Sequence, residues 1–244
     1  GPLGQGIGNA VGMALAEKVL ASKFNQADGL QPIDHYTYTF LGDGCLMEGV
    51  SHEVCSFAGT HRLGKLICFY DQNGISIDGE ITNWFTDNTA QRFESYDWQV
   101  LEVDGHNIEQ ILEAIKNAQA ESSRPTLICC KTEIGFGSPN KAGTSGVHGS
   151  PLGDEEIAKT RNQLEWEYGP FDIPENIKSE WDAKETGSKI NSEWDALMDE
   201  YASNHPVLFD ELKRLINNEL PNDFEKNYED FLEGLATFDK KDMA

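Results

Sequence analysis

Two short apolar runs constrain the fold of this chain more than any other feature. Residues 36–41 and 66–71 each have the length and β-rich character of a buried strand, and each stops at a glycine turn. The first turn is Gly42-Asp43-Gly44; the second is Gln72-Asn73-Gly74-Ile75. Asp43 and Asn73 lie 30 positions apart, the span of one strand–helix–strand unit. In a parallel sheet both strand ends open on the same edge, where open α/β sheets bind ligands. A carboxylate and an amide oxygen meeting there suit a hard divalent cation, which takes few protein oxygens and adds phosphate and water. Either turn alone is ordinary turn chemistry; the pairing across one crossover makes the candidate site.

The same alternation runs on along the chain. A helix is expected over residues 6–24, with Ile7, Val11, Ala14, Leu15 and Val19 on its apolar side. Gly8, Gly12 and Ala16 recur every four residues and would admit another backbone closely. The glycines here do not form a dinucleotide fingerprint, since no strand precedes them and the third glycine is missing at its offset. A polar loop over 25–33 leads to the first strand, and a helix over 48–61 joins the two strands. Residues 74–97 read as a loop, 99–103 as a short strand, and 108–121 as a helix with Ile108, Ile111, Leu112 and Ile115 on one face. With a further strand at 126–132, this order predicts an α/β fold with a parallel sheet flanked by helices. The Gly-, Ser- and Asn-rich stretch 135–151 follows that strand, so it starts on the ligand edge, and it carries Lys141 and His148. Beyond it, a helix capped by Gly153 or Asp154 and running to about Trp166 opens a mostly helical, acidic remainder. Residues 1–150 are expected to form the α/β core, and 151–244 a helical extension leading towards a second domain.

At 244 residues, 39% hydrophobic and 25% charged, the composition is that of a soluble globular protein with a sizeable core. A net charge of −23 argues against nucleic acid and anionic membranes as partners. It does not exclude a phosphorylated substrate, because backbone donors and a metal act locally. No basic stretch followed by an apolar core opens the sequence, and no apolar run would span a bilayer. The five cysteines (Cys45, Cys55, Cys68, Cys129 and Cys130) lack metal-type spacing and read as reduced structural thiols of a cytoplasmic protein. Adjacent in a strand, Cys129 and Cys130 should face opposite sides of the sheet.

Read together, five strings resemble the diphosphate-binding half of the transketolases: GPLGQG from Gly1, GDGCLMEG from Gly42, SHEVC from Ser51, DQNGISIDG from Asp71 and GFGSPNKAGT from Gly135. His148-Gly149 and Pro151-Leu152-Gly153-Asp154 extend the likeness over essentially the whole chain. The resemblance implies thiamine diphosphate and Mg²⁺ as cofactors, with Ca²⁺ or Mn²⁺ as substitutes. The metal would be held by the side chains of Asp43 and Asn73 and the Ile75 carbonyl, with diphosphate oxygens and a water completing the shell. Gly44 and Asn73 would lie at the diphosphate, and Gly1, Pro2 and Leu3 near the cofactor's rings. His148 would face both the diphosphate and the sugar substrate as the catalytic residue of this stretch. Glu48 and Glu53 would sit at the interface of a homodimer.

The implied reaction moves a two-carbon ketol unit from a ketose phosphate to an aldose phosphate, as in the pentose phosphate pathway, with the cofactor supplying the chemistry. Two departures stand out: Gln72 precedes Asn73 where the family commonly has Asp, and Ser145-Gly146-Val147 precedes His148 where relatives are more polar. The family's substrate-side histidines and its activating glutamate have no counterpart here. The chain is therefore expected to be a fragment, inactive alone and completed by further chain or by a complementary subunit. A dihydroxyacetone synthase-like enzyme, one subunit of a split thiamine enzyme, and a non-catalytic cofactor-binding module are the alternatives.

Overall fold

The computed structural model describes residues 2–236. The described residues fall into two compact units. One comprises the residues up to Lys23 together with Ile33–Asp182; the other comprises Phe24–Pro32 and the residues from Ala183 onward.

The first unit is built on four parallel strands: β1 (Thr37–Gly42), β2 (Leu66–Gln72), β5 (Gln99–Asp104) and β6 (Thr126–Lys131). Their spatial order is β1-β2-β6-β5, and every neighbouring pair is parallel. The register aligns Gly42 with Asp71, Gln72 with Lys131 and Asp104 with Lys131, so all four strands end level on one edge. That edge is where the two glycine turns lie.

Each face of the sheet carries its own core. Helices α1 (Gln5–Phe24), α3 (Gly49–Thr60) and α4 (Thr89–Ser95) belong to one side, where Ile7, Val11, Cys55, Ala58 and Phe93 pack with Leu41, Cys68, Tyr70 and Leu127. On the other side, α5 (Ile108–Ala120) sets Ala114 and Ala118 against Ile67, Phe69, Val103 and Ile128. Successive residues of β2 thus feed opposite cores, as the two-residue period of a strand requires. Cys129 belongs to the first core and Cys130 to the second, as expected. Burial pushes the Cys55 and Cys129 thiols up to about 12, which suits inert packing residues.

Several expectations are corrected. The helix expected over 48–61 is α3, but a separate short helix, α2 (Asp43–Met47), precedes it, and Glu48 between them is extended. The expected loop over 74–97 holds a small hairpin, β3 (Ile75–Ser76) with β4 (Gly79–Glu80), turned by Gly79 at φ +120°. It also holds α4, started by Asn88, whose side chain accepts from Gln91 N at 3.0 Å. On α5 the buried face is Ala114 and Ala118 with Ile111 and Ile115 at its flanks, while Ile108 and Leu112 are 72% and 53% exposed. Alanines let the helix lie close to the sheet, which rotates the larger residues outward. Val19 of α1 is exposed, and nothing lies within 4 Å of where a Cβ at Gly12 would stand. No close backbone approach to that stripe exists among the described residues.

The first unit runs past residue 150 to include α6 (Asp154–Gln163) and α7 (Glu175–Trp181). In the second unit, α8 (Lys184–Asn204) and α9 (Pro206–Ile216) are followed by α10 (Phe224–Ala236). There Tyr201 donates to the Phe24 carbonyl at 2.7 Å and Trp194 Nε1 to that of Pro32 at 3.3 Å. No helix among the described residues is long and apolar enough to cross a membrane.

Candidate cofactor and metal site

The turns after β1 and β2 meet. Asp43, the first residue of α2, is 3% exposed, and both its oxygens are engaged. Oδ1 accepts from the Tyr70 hydroxyl, and Oδ2 accepts from Gly74 N at 3.0 Å. Tyr70 comes from the interior of β2, where burial first and the neighbouring carboxylate second hold its hydroxyl pKa well above the usual tyrosine range. It therefore acts as a fixed donor. Asn73 Oδ1 accepts from Ile75 N at 3.0 Å, and its Nδ2 donates to Asp71 Oδ2 at 3.2 Å. Gly74, at φ +71°, is the residue that lets this turn bend back onto Asp43.

The donor set tests whether a cation fits. A buried carboxylate normally has a cationic partner, because desolvating a charge is costly. Among the described residues Asp43 has only neutral donors, and no ion pair reaches it. Each carboxylate oxygen still has a free acceptor direction after its one hydrogen bond, and Asn73 Oδ1 likewise. Oxygen-only donors with one uncompensated charge match Mg²⁺ chemistry. The residues present fit the implied metal.

The other expected site residues are placed as follows. Gly1 lies outside the described residues. Pro2 is exposed, and Leu3 reaches α2: a Cβ on Gly44 would stand 2.9 Å from Leu3 Cδ1. At Gly4 a Cβ would meet Glu48 Cβ and Val50 Cγ1 at 2.8 Å, so the N-terminal segment lies on the junction of α2 and α3. Ile75 is buried, whereas Glu48 and Glu53 are exposed at the start and middle of α3. His148 is also exposed; it ends a 3₁₀ turn over Ser145–Val147, and its N–H donates to Ser145 O at 3.0 Å. No hydrogen bond among the described residues ties its ring to Asp43 or Asn73.

Sequence reasoning missed three supports of this edge. Tyr70 is one. Arg92 of α4 is the second: it donates to Asp87 Oδ2 at 2.8 Å, to the Leu46 carbonyl of α2 at 3.2 Å and to His52 Nε2 at 3.2 Å. Because arginine only donates, His52 carries its ring proton on Nδ1, towards the Tyr96 hydroxyl at 3.2 Å. The third is His106, which accepts from Glu133 N at 3.0 Å and stacks on Phe136, joining the ends of β5 and β6.

The family described as "Transketolase, thiamine diphosphate binding domain" matches residues 1–221. Transketolase 1 of Escherichia coli (strain K12) is 56% identical over 233 residues, 95% of this chain and 35% of that protein. Among solved structures, a transketolase from Leishmania mexicana superposes with a TM-score of 0.89 at 38% identity, covering 93% of this chain and 34% of its own. A transketolase from Pichia stipitis, in complex with sedoheptulose-7-phosphate, gives 0.88 at 41% identity over the same shares. The chain thus spans about a third of the length of the relatives it matches. With the family match extending over most of its length, the chain belongs to the transketolase family, through the thiamine diphosphate binding domain.

Proposed function

We propose that this chain is the diphosphate- and metal-binding part of a transketolase, serving transfer of a two-carbon ketol unit from a ketose phosphate to an aldose phosphate. The observation that carries the reading is the buried Asp43 carboxylate, without a cationic partner among the described residues, beside Asn73 on the strand-end edge. Asp43, Asn73 and the Ile75 carbonyl would hold Mg²⁺, and Gly44 would leave room for the diphosphate beside α2. Pro2 and Leu3, and Gly1 outside the described residues, would line the ring end of the cofactor. When bound, thiamine diphosphate supplies the carbon nucleophile that the protein itself lacks. The chain's share is to neutralise, orient and dry the cofactor, and His148 is assigned a hydrogen bond or proton at a substrate oxygen.

Glu48, just before α3, and Glu53 on α3, both exposed, are assigned to the interface of a homodimer, and sugar phosphates are the proposed substrates. The sedoheptulose-7-phosphate complex of the Pichia stipitis relative supports that class. A cytoplasmic location agrees with five free cysteines, four of them buried. The core over 1–150 and its helical extension over 151–244 are proposed as parts of one domain. On this reading the 244 residues bind cofactor but do not turn over without the rest of a transketolase.

Calorimetric titration of thiamine diphosphate into the folded chain and Asp43→Ala, each with and without Mg²⁺, tests the reading. Binding should require both the metal and the carboxylate. Equal affinity in all four titrations would sink the assignment.

A further inference from the structure

The geometry points to Glu156 as the positioning residue of the loop that presents His148. Glu156 lies in the first turn of α6, yet its carboxylate does not cap that helix. It is 6% exposed and reaches into the glycine-rich loop. Oε1 accepts from Ser138 Oγ at 2.6 Å and from Asn140 N at 2.8 Å, while Oε2 accepts from Asn140 Nδ2 at 2.9 Å. Lys159, one turn on, stands 4.0 Å away. Three donors converging on one buried carboxylate form a built clasp, since such a charge is retained only where its hydrogen bonds are supplied.

The clasp fixes one root of the segment bearing His148. Lys141, next to Asn140, donates its N–H to Ser138 Oγ at 3.3 Å and its Nζ to the Leu152 carbonyl at 2.7 Å. Residues 141–152 are thereby closed into a ring with His148 inside it. Gly143 N donates to Ile134 O at 2.8 Å, and Val147 packs over Gly135, where a Cβ would stand 3.0 Å from Val147 Cγ2. Gly135, Gly137, Gly143, Gly149 and Gly153 all hold positive φ, so this loop is shaped by its backbone and has few alternatives once both roots are fixed. His148, exposed and with no ring partner among the described residues, gains a defined place through these roots. The role assigned to Glu156 rests on the transketolase reading only in giving His148 a task; the clasp itself does not depend on it.

Amide hydrogen exchange on the folded 244-residue chain, without any ligand, tests the clasp. Asn140→Asp sets a second carboxylate against Glu156 and should raise exchange at residue 140, Gly143 and His148 about 10- to 100-fold, leaving the amides of β2 and β6 unchanged. Adding Glu156→Gln to Asn140→Asp restores a donor–acceptor match with the charge moved across the pair. Exchange should then return to within about threefold of the wild type. Ser138→Ala, which removes one donor, is the milder companion and should open the same three amides by a smaller factor. Single variants that leave His148 exchange unchanged would overturn the assignment, and so would a double variant no better than Asn140→Asp alone. Faster exchange spread evenly through β2 and β6 would also overturn it, since that marks general destabilisation. Cofactor titration reads the functional proposal separately, so either can fail without the other.

Discussion

Asp43 brings a carboxylate into the interior where, among the described residues, only Tyr70 and Gly74 donate to it, an arrangement that costs stability unless a cation is part of the design. Its position was legible in the sequence, because a glycine turn after an apolar run marks a strand end whatever the rest of the fold does. Tyr70 was not legible: a tyrosine within a buried strand reads as packing, and only the register shows its hydroxyl beside the turn of the neighbouring strand. Arg92 was hidden for the same reason, since two of its partners, His52 and Leu46, lie 40 and 46 positions away. His148 was singled out by its loop, yet its ring is exposed and pairs with nothing among the described residues, so its role depends on what binds there. In this chain spliced into a full-length transketolase relative, His148→Ala should lower turnover about 10²–10⁴-fold, the usual contribution of a positioned proton-transfer group. His205 is a poor control, because its ring pairs with Asp28 at 2.8 Å. His35, exposed in the segment before β1, is a better one, and His35→Ala should change turnover little. Equal small losses in steady-state assays of both variants would make His148 a bystander.

At the scale of elements, the four parallel strands and the helices α1, α3, α5 and α6 were readable, because each carries its own periodicity between turn residues. The hairpin β3–β4 and helix α4 were not. Their segment is short, aromatic and polar by turns, and the Asn88 cap that starts α4 is indistinguishable from the turn residues around it. The apolar face of α5 was misread because counting large side chains favours Ile108 and Leu112, whereas close packing on a sheet favours alanine. The joint between α6 and the glycine-rich loop was invisible for a further reason: Glu156 looks like any acidic residue in a first helical turn, where the helix dipole favours one. Hydrogen bonds from Asn140 and Ser138 lower its pKa from 4.5 to about 2. A carboxyl depressed on folding stabilises the native state fully above its unfolded value and loses that contribution as pH falls through its folded value. The stability gap between wild type and Glu156→Gln should thus be constant above about pH 5 and close between about pH 4.5 and 2. Urea unfolding at pH 6 and pH 3 measures it, and a gap that widens at pH 3 would contradict the assigned shift.

Over the whole molecule, fold class followed from the strand–helix order, and family from long strings that turn chemistry alone does not require. Charge is a separate property of the whole chain. The net charge is −23, and 24 of the 42 acidic residues lie within 151–244 against 10 of the 19 basic ones. Surface ion pairs such as Lys178–Glu175 and Lys189–Glu193 join exposed side chains and offset little of that repulsion. Screening lengths fall from about 30 Å at 0.01 M salt to about 8 Å at 0.15 M, so added salt relieves repulsion between distant carboxylates while leaving buried hydrogen bonds intact. The midpoint of thermal unfolding should therefore rise by a few degrees, roughly 2–4 °C for each kcal/mol of relieved repulsion, as NaCl goes from 0.01 to 0.15 M. The gain should level off at higher concentration. Screening acts on every charge, so Asp43→Ala should show nearly the same NaCl response as the wild type. MgCl₂ at matched ionic strength separates the two effects: a site-bound ion adds stability by mass action only where its ligands are present. The wild type should then gain more from MgCl₂ than Asp43→Ala does. Scanning calorimetry of both proteins in the two salts checks this; a midpoint that falls with NaCl would refute the repulsion argument, and identical MgCl₂ gains would refute the site.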